Sequence, residues 1–534
     1  MSPRSASPSP GRRTLLGATL ATSAALALPT ALAPAPALAL SGRPRARWGV
    51  QSGEVTSSSG LVWVRSDRPA RMTVETSATE SFRRPHCWHG LLIGRETDLT
   101  GTVALRGLPP GEQIHSRVTI ADPDDPRRTG EPVHGTFRTA PATRRPGVRF
   151  LWSGDIAGQG WGINPDIGGY RAYDEMLRLD PDFFLCSGDT IYADGVIEPS
   201  VTLPDGRIWR NVTTEEKSRV AQTLDDFRGN FRYNLLDDNV RRFNAQVPTV
   251  VQWDDHEVRN NWYPGQILDD PRYTEKNVDV LARRAMRAFG EYFPVPPLSP
   301  YGGSALPGRG REGRLHRVVR HGPLLDVFVL DMRSYRNANS PDRQADDTQG
   351  ILGAEQLSWP KGELSRSRAV WKVITADIPL GLVVPDGSAD IEAVAQGDPG
   401  APLGRELQIA ELLRFVKHRR ITGTLWLTAD VHYTSAQHYT PELAAFKDFA
   451  PFWEFVSGPL AAGGFPANAL DPTFGPEQVF VRAPERANVS PMESPQYFGE
   501  VDIDGSTGEL TVRLRAEGGT ILYSKLLQPG RVGQ

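Results

Sequence analysis

The chain of 534 residues has only two cysteines, Cys87 and Cys186. A disulfide framework is excluded, which leaves stabilisation to the core, with metal ions as a further means. Cys87 stands in His86-Cys87-Trp88-His89, but no partner CxxC or HxxxH follows, and the stretch reads as a loop or strand edge. A strong charge of either sign is also missing. The formal net charge is −3, and loss of residues 1–40, whose charged side chains are Arg4, Arg12 and Arg13, leaves the remainder more acidic. No basic stripe is left for nucleic acid or an anionic membrane surface. Nor does any segment reach the ~20 apolar residues that a membrane span needs. No spanning helix is expected once the N-terminal segment is cleaved.

What is there begins with that segment. Arg12-Arg13-Thr14-Leu15-Leu16 precedes an Ala-rich apolar run, and Ala31-Leu32-Ala33 and Ala37-Leu38-Ala39 offer small-residue cleavage sites. Residues 1–40 read as an export signal, and the paired arginines favour the twin-arginine machinery, which moves folded proteins. A secreted or cell-wall-associated protein is expected. The rest, 39% hydrophobic overall, is long enough for two or more domains.

Residues 41–140 carry short strands with turns, such as Leu61-Val62-Trp63-Val64 and Ile114-His115-Ser116-Arg117-Val118, without helical periodicity. They predict an all-β sandwich, and Val103 to Gly111 resembles a strand and turn of fibronectin type III modules. Residues 141–147, in a Pro-rich stretch, read as a linker to a larger domain over 148–534.

That domain is read as α/β. Its opening strand, Val148 to Trp152, runs into Ser153-Gly154-Asp155, a helix is predicted over 170–179, and Phe183 to Ser187 follows as a buried strand. The strand empties into Gly188-Asp189-Thr190-Ile191-Tyr192. The pattern then recurs. A long amphipathic helical region over 215–244 leads to Thr249 to Trp253, which empties into Asp254-Asp255-His256-Glu257. Further on, strands end at Asp331-Met332-Arg333, at Ala376-Asp377 and at Ala429-Asp430-Val431-His432.

Any one Asp after a strand is explained by a turn. Asp155, Asp189, Asp254/Asp255, Asp377 and Asp430 together, beside Tyr192, His256 and His432, are not. Ligand sites in open α/β sheets lie beyond the carboxyl ends of the strands. Carboxylates gathered there repel one another unless cations neutralise them, so the cluster predicts bound metal. An oxygen-rich set suits Ca²⁺, Mg²⁺, Mn²⁺ or Fe³⁺ more than Zn²⁺, and a phenol beside a carboxylate suits ferric iron. Paired cations would clamp a phosphoryl group and activate water. His256 stands among the acids, and Arg259, three residues on, is placed to bind a non-bridging phosphate oxygen.

These motifs resemble the calcineurin-like metallophosphoesterases, more closely the PhoD-type alkaline phosphatases and their phospholipase D-like relatives. The resemblance implies a metallophosphoesterase-like catalytic domain using Fe³⁺ and Ca²⁺, with Mn²⁺ or Mg²⁺ as alternatives. On that reading Asp189 bridges metals, and Asp155, Tyr192 and His432 hold the ferric ion. Asp254, Asp255, Asp377 and Asp430 hold the divalent ions, and His256 serves the leaving oxygen. Asp377 and Asp430 stand where the superfamily usually has His, and Ser153-Gly154-Asp155 stands where PhoD-type enzymes place a cysteine ligand. The expected function is metal-dependent hydrolysis of small phosphate esters or phospholipid headgroups by a metal-activated hydroxide. Two rivals are a phospholipase D-like phosphodiesterase and, in another class, a secreted calcium-stabilised binding module. Cys186, three residues before Asp189, is assigned to the core.

Overall fold

Apolar side chains that alternate along the central strands dictate the layering. In Phe183–Ser187, Phe183 and Leu185 point to one face and Phe184 and Cys186 to the other, and all four are buried. Such a strand must be covered on both sides. The computed structural model shows how, and describes residues 42–143, 146–296, 314–346 and 350–530. The export-signal segment expected over residues 1–40 lies outside the described residues. The described residues from 43 onward form one compact unit.

Two large sheets pack face to face. The nine-stranded sheet runs, in spatial order, Ile521–Leu527, Leu510–Ala516, Tyr497–Asp504, Gly147–Ser153, Phe183–Ser187, Thr249–Gln252, Val50–Gly53, Ser59–Arg65 and Thr100–Arg106. The seven-stranded sheet runs Arg317–His321, Leu325–Val329, Trp371–Thr375, Thr424–Thr428, Phe452–Val456, Thr434–Tyr439 and Pro476–Arg482. Between them lie Phe150, Trp152, Phe183, Leu185 and Val250 from the first, against Val327, Val329, Val373, Leu425 and Phe455 from the second. Each such side chain, fully buried, contributes about 1.5–3 kcal/mol.

Helices close the outer faces. Ala172–Arg178, Leu224–Asn234, Asp238–Asn244 and Val278–Tyr292 cover Leu151, Phe184, Cys186 and Val251. Gly353–Arg366 and Glu406–His418 cover Phe328, Ile374 and Trp426. The single helical region expected over 215–244 is broken. Thr223 caps one helix in a reciprocal box with Asp226, and Asp237 caps the next through the amides of Asn239 and Val240. Two caps inside one amphipathic stretch make two helices. Among the described residues no helix is long and apolar enough to cross a membrane.

The N-terminal strands form two layers, but one layer is shared. His86–Ile93, Ala70–Ser77, Gln113–Ala121 and Val133–Arg138 make a separate four-stranded sheet, with His86–Ile93 at its edge. Val50–Gly53, Ser59–Arg65 and Thr100–Arg106 face it across a core of Val62, Val64, Met72, Val74, Val118 and Phe137. These three strands also continue the nine-stranded sheet, because Val50–Gly53 runs parallel to Thr249–Gln252. Cys87 is exposed on the edge strand and Cys186 is buried, both unpaired.

Parallel pairing aligns the strand ends that matter. Gly147–Ser153, Phe183–Ser187 and Thr249–Gln252 run the same way, as do Leu325–Val329, Trp371–Thr375, Thr424–Thr428 and Phe452–Val456. Their carboxyl ends open at one rim.

Candidate metal centre

The turns that leave these strands are tight. Asp155, Asp189, Asp430 and His432 all have left-handed backbones, with φ of 65°, 49°, 69° and 59°. Such conformations cost about 1–3 kcal/mol each in non-glycine residues and gather where a site demands them. Gly458 belongs to the same rim: a Cβ there would lie 2.1 Å from Asp155 Oδ2, so only glycine leaves room for that carboxylate.

The result is three overlapping triads. Asp155, Asp189 and His432 each present a ligand atom within 4.8 Å of the others, as do Asp189, Asp255 and His256, and Asp254, Asp255 and Asp430. Asp189 belongs to two triads and Asp255 to two. His432 Nδ1 donates to the Gly463 carbonyl at 2.6 Å, which leaves Nε2 as an acceptor, 2.7 Å from Tyr192 Oη and 3.8 Å from Asp155 Oδ1. A carbonyl on the far nitrogen is how a ligating imidazole is oriented. Burial pushes His432 down to about 4, so it is neutral.

The acids sit at the opposite extreme. Burial, helped by Asp255 and Glu257 against the pull of His256, raises Asp155 to about 8. Burial, then Asp255 and Asp254, holds Asp189 well above the usual carboxylate range, and burial followed by Asp189 and Asp155 raises the Tyr192 phenol. Both oxygens of Asp155, Oδ2 of Asp254 and Oδ1 of Asp255 are buried with no hydrogen-bond partner among the described residues. Buried carboxylate oxygens without donors are strongly unfavourable unless a cation meets them. The donor set therefore fits hard metal ions: mostly carboxylates, with one phenol and the imidazoles of His432 and His256.

His256 is held differently. Its Nδ1 lies 2.7 Å from Asp194 Oδ1, its Nε2 4.0 Å from Asp255 Oδ1, and its ring 4.1 Å from that of Tyr192. Burial alone would lower it, but Asp194 and Asp255 outweigh burial and raise His256 to about 9. In Asp194 burial is outweighed in turn by His256, and its carboxyl falls to about 2. Arg259, half-buried, comes close enough to Asp194 and Asp270 to lower both carboxyls, and its Nε has no hydrogen-bond partner among the described residues.

One expected ligand stands apart. Asp377 is in none of the triads; its Oδ2 accepts from Arg333 Nε at 3.2 Å and its Oδ1 from Gln252 Nε2 at 3.2 Å. The strand-then-acid pattern cannot tell a carboxylate facing a cation from one facing an arginine. Four residues escaped the sequence reading as parts of the site: Asp194, Glu257, Arg333 and Glu392. Asp194 lies two residues after Tyr192 and Glu257 next to His256, so nearness to the motifs was the available signal; Glu392 lies in a loop with none.

Two packed mixed sheets flanked by helices, with acids converging at the strand ends, define a metallophosphoesterase-like fold. The PhoD-like phosphatase family model matches residues 150–514 and the model of that family's N-terminal domain matches residues 31–141, so the chain belongs to the PhoD-like phosphatase family. It is 29% identical over 329 residues to alkaline phosphatase D of Bacillus subtilis (strain 168), covering 59% of this chain and 52% of that protein. The match thus spans about half the length of this relative. A solved structure of PhoD aligns with a TM-score of 0.67 at 22% identity, over 92% of this chain and 90% of that one. The purple acid phosphatase PPD1 from yellow lupin (Lupinus luteus) seeds aligns with a TM-score of 0.55 at 14% identity, over 91% and 74%. These two likenesses are of fold.

Proposed function

We propose that the protein is an exported, metal-dependent hydrolase of phosphate esters. The observation that carries this reading is the set of buried oxygens on Asp155, Asp254 and Asp255 that meet no donor among the described residues, arranged in triads that share Asp189 and Asp255. Cations bound there would neutralise the acids, polarise a phosphoryl oxygen and acidify a water. Family membership agrees, and the phosphatase named among its relatives is the nearest guide to substrate.

Within that reading each side chain has a task. Asp155, Tyr192 and His432 would hold the harder ion, for which we propose Fe³⁺, and Asp254, Asp255 and Asp430 would hold Ca²⁺ or, in its place, Mn²⁺ or Mg²⁺. Asp189 bridges. Asp194 fixes the His256 ring through Nδ1, which turns Nε2 toward Asp255 and the rim, where a proton on it would serve a leaving oxygen. Arg259 is positioned near this pair to steady a phosphate oxygen. Residues 1–40 would direct the folded protein through the twin-arginine machinery to the outside of the cell or its wall.

The test is metal analysis of the purified protein with its visible spectrum and turnover on a phosphomonoester and a phosphodiester. Bound iron with a tyrosinate charge-transfer band, and release of phosphate or alcohol that stops on chelation, is the expected outcome. A colourless, metal-free protein with full turnover would overturn it.

A further inference from the structure

The carboxylates around the centre fall into two kinds by what their oxygens already hold. Among the described residues Asp155 has no hydrogen-bond donor on either oxygen, and Asp254 Oδ2 and Asp255 Oδ1 have none. Asp377 is the reverse: Gln252 Nε2 donates to Oδ1 and Arg333 Nε to Oδ2, each at 3.2 Å. Glu392 is held through one carboxylate oxygen and its backbone. Its Oε1 receives Arg333 Nη1 and, at 3.1 Å, Arg336 Nη1, while Arg405 Nη1 holds its backbone carbonyl at 2.8 Å.

Arg333 is the hub of the second kind. It has no exposed surface, donates through Nε to Asp254 Oδ1 at 2.7 Å, and comes within 3.8 Å of Asp430 Oδ1. Its chain direction is fixed from behind, since its own amide donates to Asp331 Oδ1 at 3.1 Å. A guanidinium keeps its charge at every relevant pH, and its planar fork matches carboxylates set around it. A charge of this kind, in this place, neutralises Asp377 and Glu392 as a cation would, and repels any ion that approaches them.

We propose that Arg333 is a resident cation of the centre, standing in for a metal ion on the Asp377 and Glu392 side. Those two acids are arginine counterions and not ligands. Metal ions are confined to the side formed by Asp155, Asp189, Tyr192 and His432 and the side formed by Asp254, Asp255 and Asp430. The inference rests on the metal-dependent reading above and refines it.

Counting ions decides it without reference to turnover. The full-length protein, loaded with iron and calcium, is compared by elemental analysis and calorimetric titration with Asp377→Asn, Glu392→Gln and Asp189→Asn. Asp377→Asn and Glu392→Gln are expected to bind as many ions per chain as the parent, whereas Asp189→Asn loses at least one. Loss of one ion per chain in Asp377→Asn would overturn the assignment. If the variants at 377 and 392 do not fold by circular dichroism, anomalous scattering from crystals of the parent decides: a calcium or iron peak at ligand distance from Asp377 overturns the proposal, and peaks confined to the other acids support it. A parent protein that binds no ions at all would instead defeat the metal reading itself, and this refinement with it.

Discussion

Glu257 accepts both the amide and the hydroxyl of Thr190, each at 2.6 Å, across 67 residues of sequence. Its other oxygen takes the amide of Asp254 at 2.8 Å. One buried carboxylate thus ties the turn carrying Asp189 to the turn carrying Asp254 and Asp255. Glutamine offers an acceptor on one side only, so Glu257→Gln leaves an N–H facing an N–H. We expect loss of about 1–3 kcal/mol of stability, seen as a lower melting temperature, and at least a tenfold fall in turnover with far-ultraviolet dichroism retained. Unchanged melting and turnover would show that the tie is dispensable.

Asp155 should reveal itself through metal-dependent stability. With its carboxyl raised from 3.8 to about 8 by burial, the ion-free protein loses stability as pH climbs from the lower value to the higher, because over that range the unfolded chain has released the proton and the folded one still holds it. Asparagine has no proton to lose. At pH 9 in chelator, Asp155→Asn is expected to melt higher than the parent, and with metal present it should gain far less than the parent does. A variant that keeps the parent's full metal-induced rise in melting temperature would remove Asp155 from the ligand set.

The His256 and Asp194 pair makes a prediction that depends on the leaving group. A nitrophenolate departs without a proton, whereas an alkoxide needs one. His256→Asn should therefore slow an alkyl phosphate by about 10²–10⁴-fold and a p-nitrophenyl phosphate much less. Equal losses on both substrates would assign His256 to binding instead of proton transfer.

Away from the rim, Glu406 is buried, and burial together with Asp471 raises its carboxyl from 4.5 to about 8. The folded state holds this proton more tightly than the unfolded chain does. Its contribution to stability is whole below about pH 4.5 and is lost as pH rises to about 8. Glutamine keeps an acceptor for the Leu403 amide, which Glu406 Oε2 meets at 3.1 Å. The decline in melting temperature of the parent between pH 5 and 8 should flatten in Glu406→Gln; an identical slope would contradict the burial argument.

Much of this architecture was legible because apolar runs end where acids begin. Phe183 to Ser187 ending before Asp189, and Thr249 to Gln252 before Asp254, mark strand and ligand turn together, and the Val278–Tyr292 helix follows its apolar stripe. What stayed hidden is partnership across the sequence. Nothing local distinguishes Asp377, which meets Arg333, from Asp430, which joins a triad. The caps at Thr223 and Asp237 were visible as residue types, but the apolar spacing on either side suggested one continuous helix. The strands Thr434–Tyr439 and Phe452–Val456 carry Gln437 and Glu454 at fully buried positions, which blurs the alternation by which strands are recognised.

The parallel contact between Val50–Gly53 and Thr249–Gln252 bears on any shortened version of this protein. A chain begun at residue 148 would leave the Thr249–Gln252 strand as an open flank, its amides and carbonyls bare to the next molecule. Stickiness and poor yield, more than a missing accessory module, are what such trimming should produce.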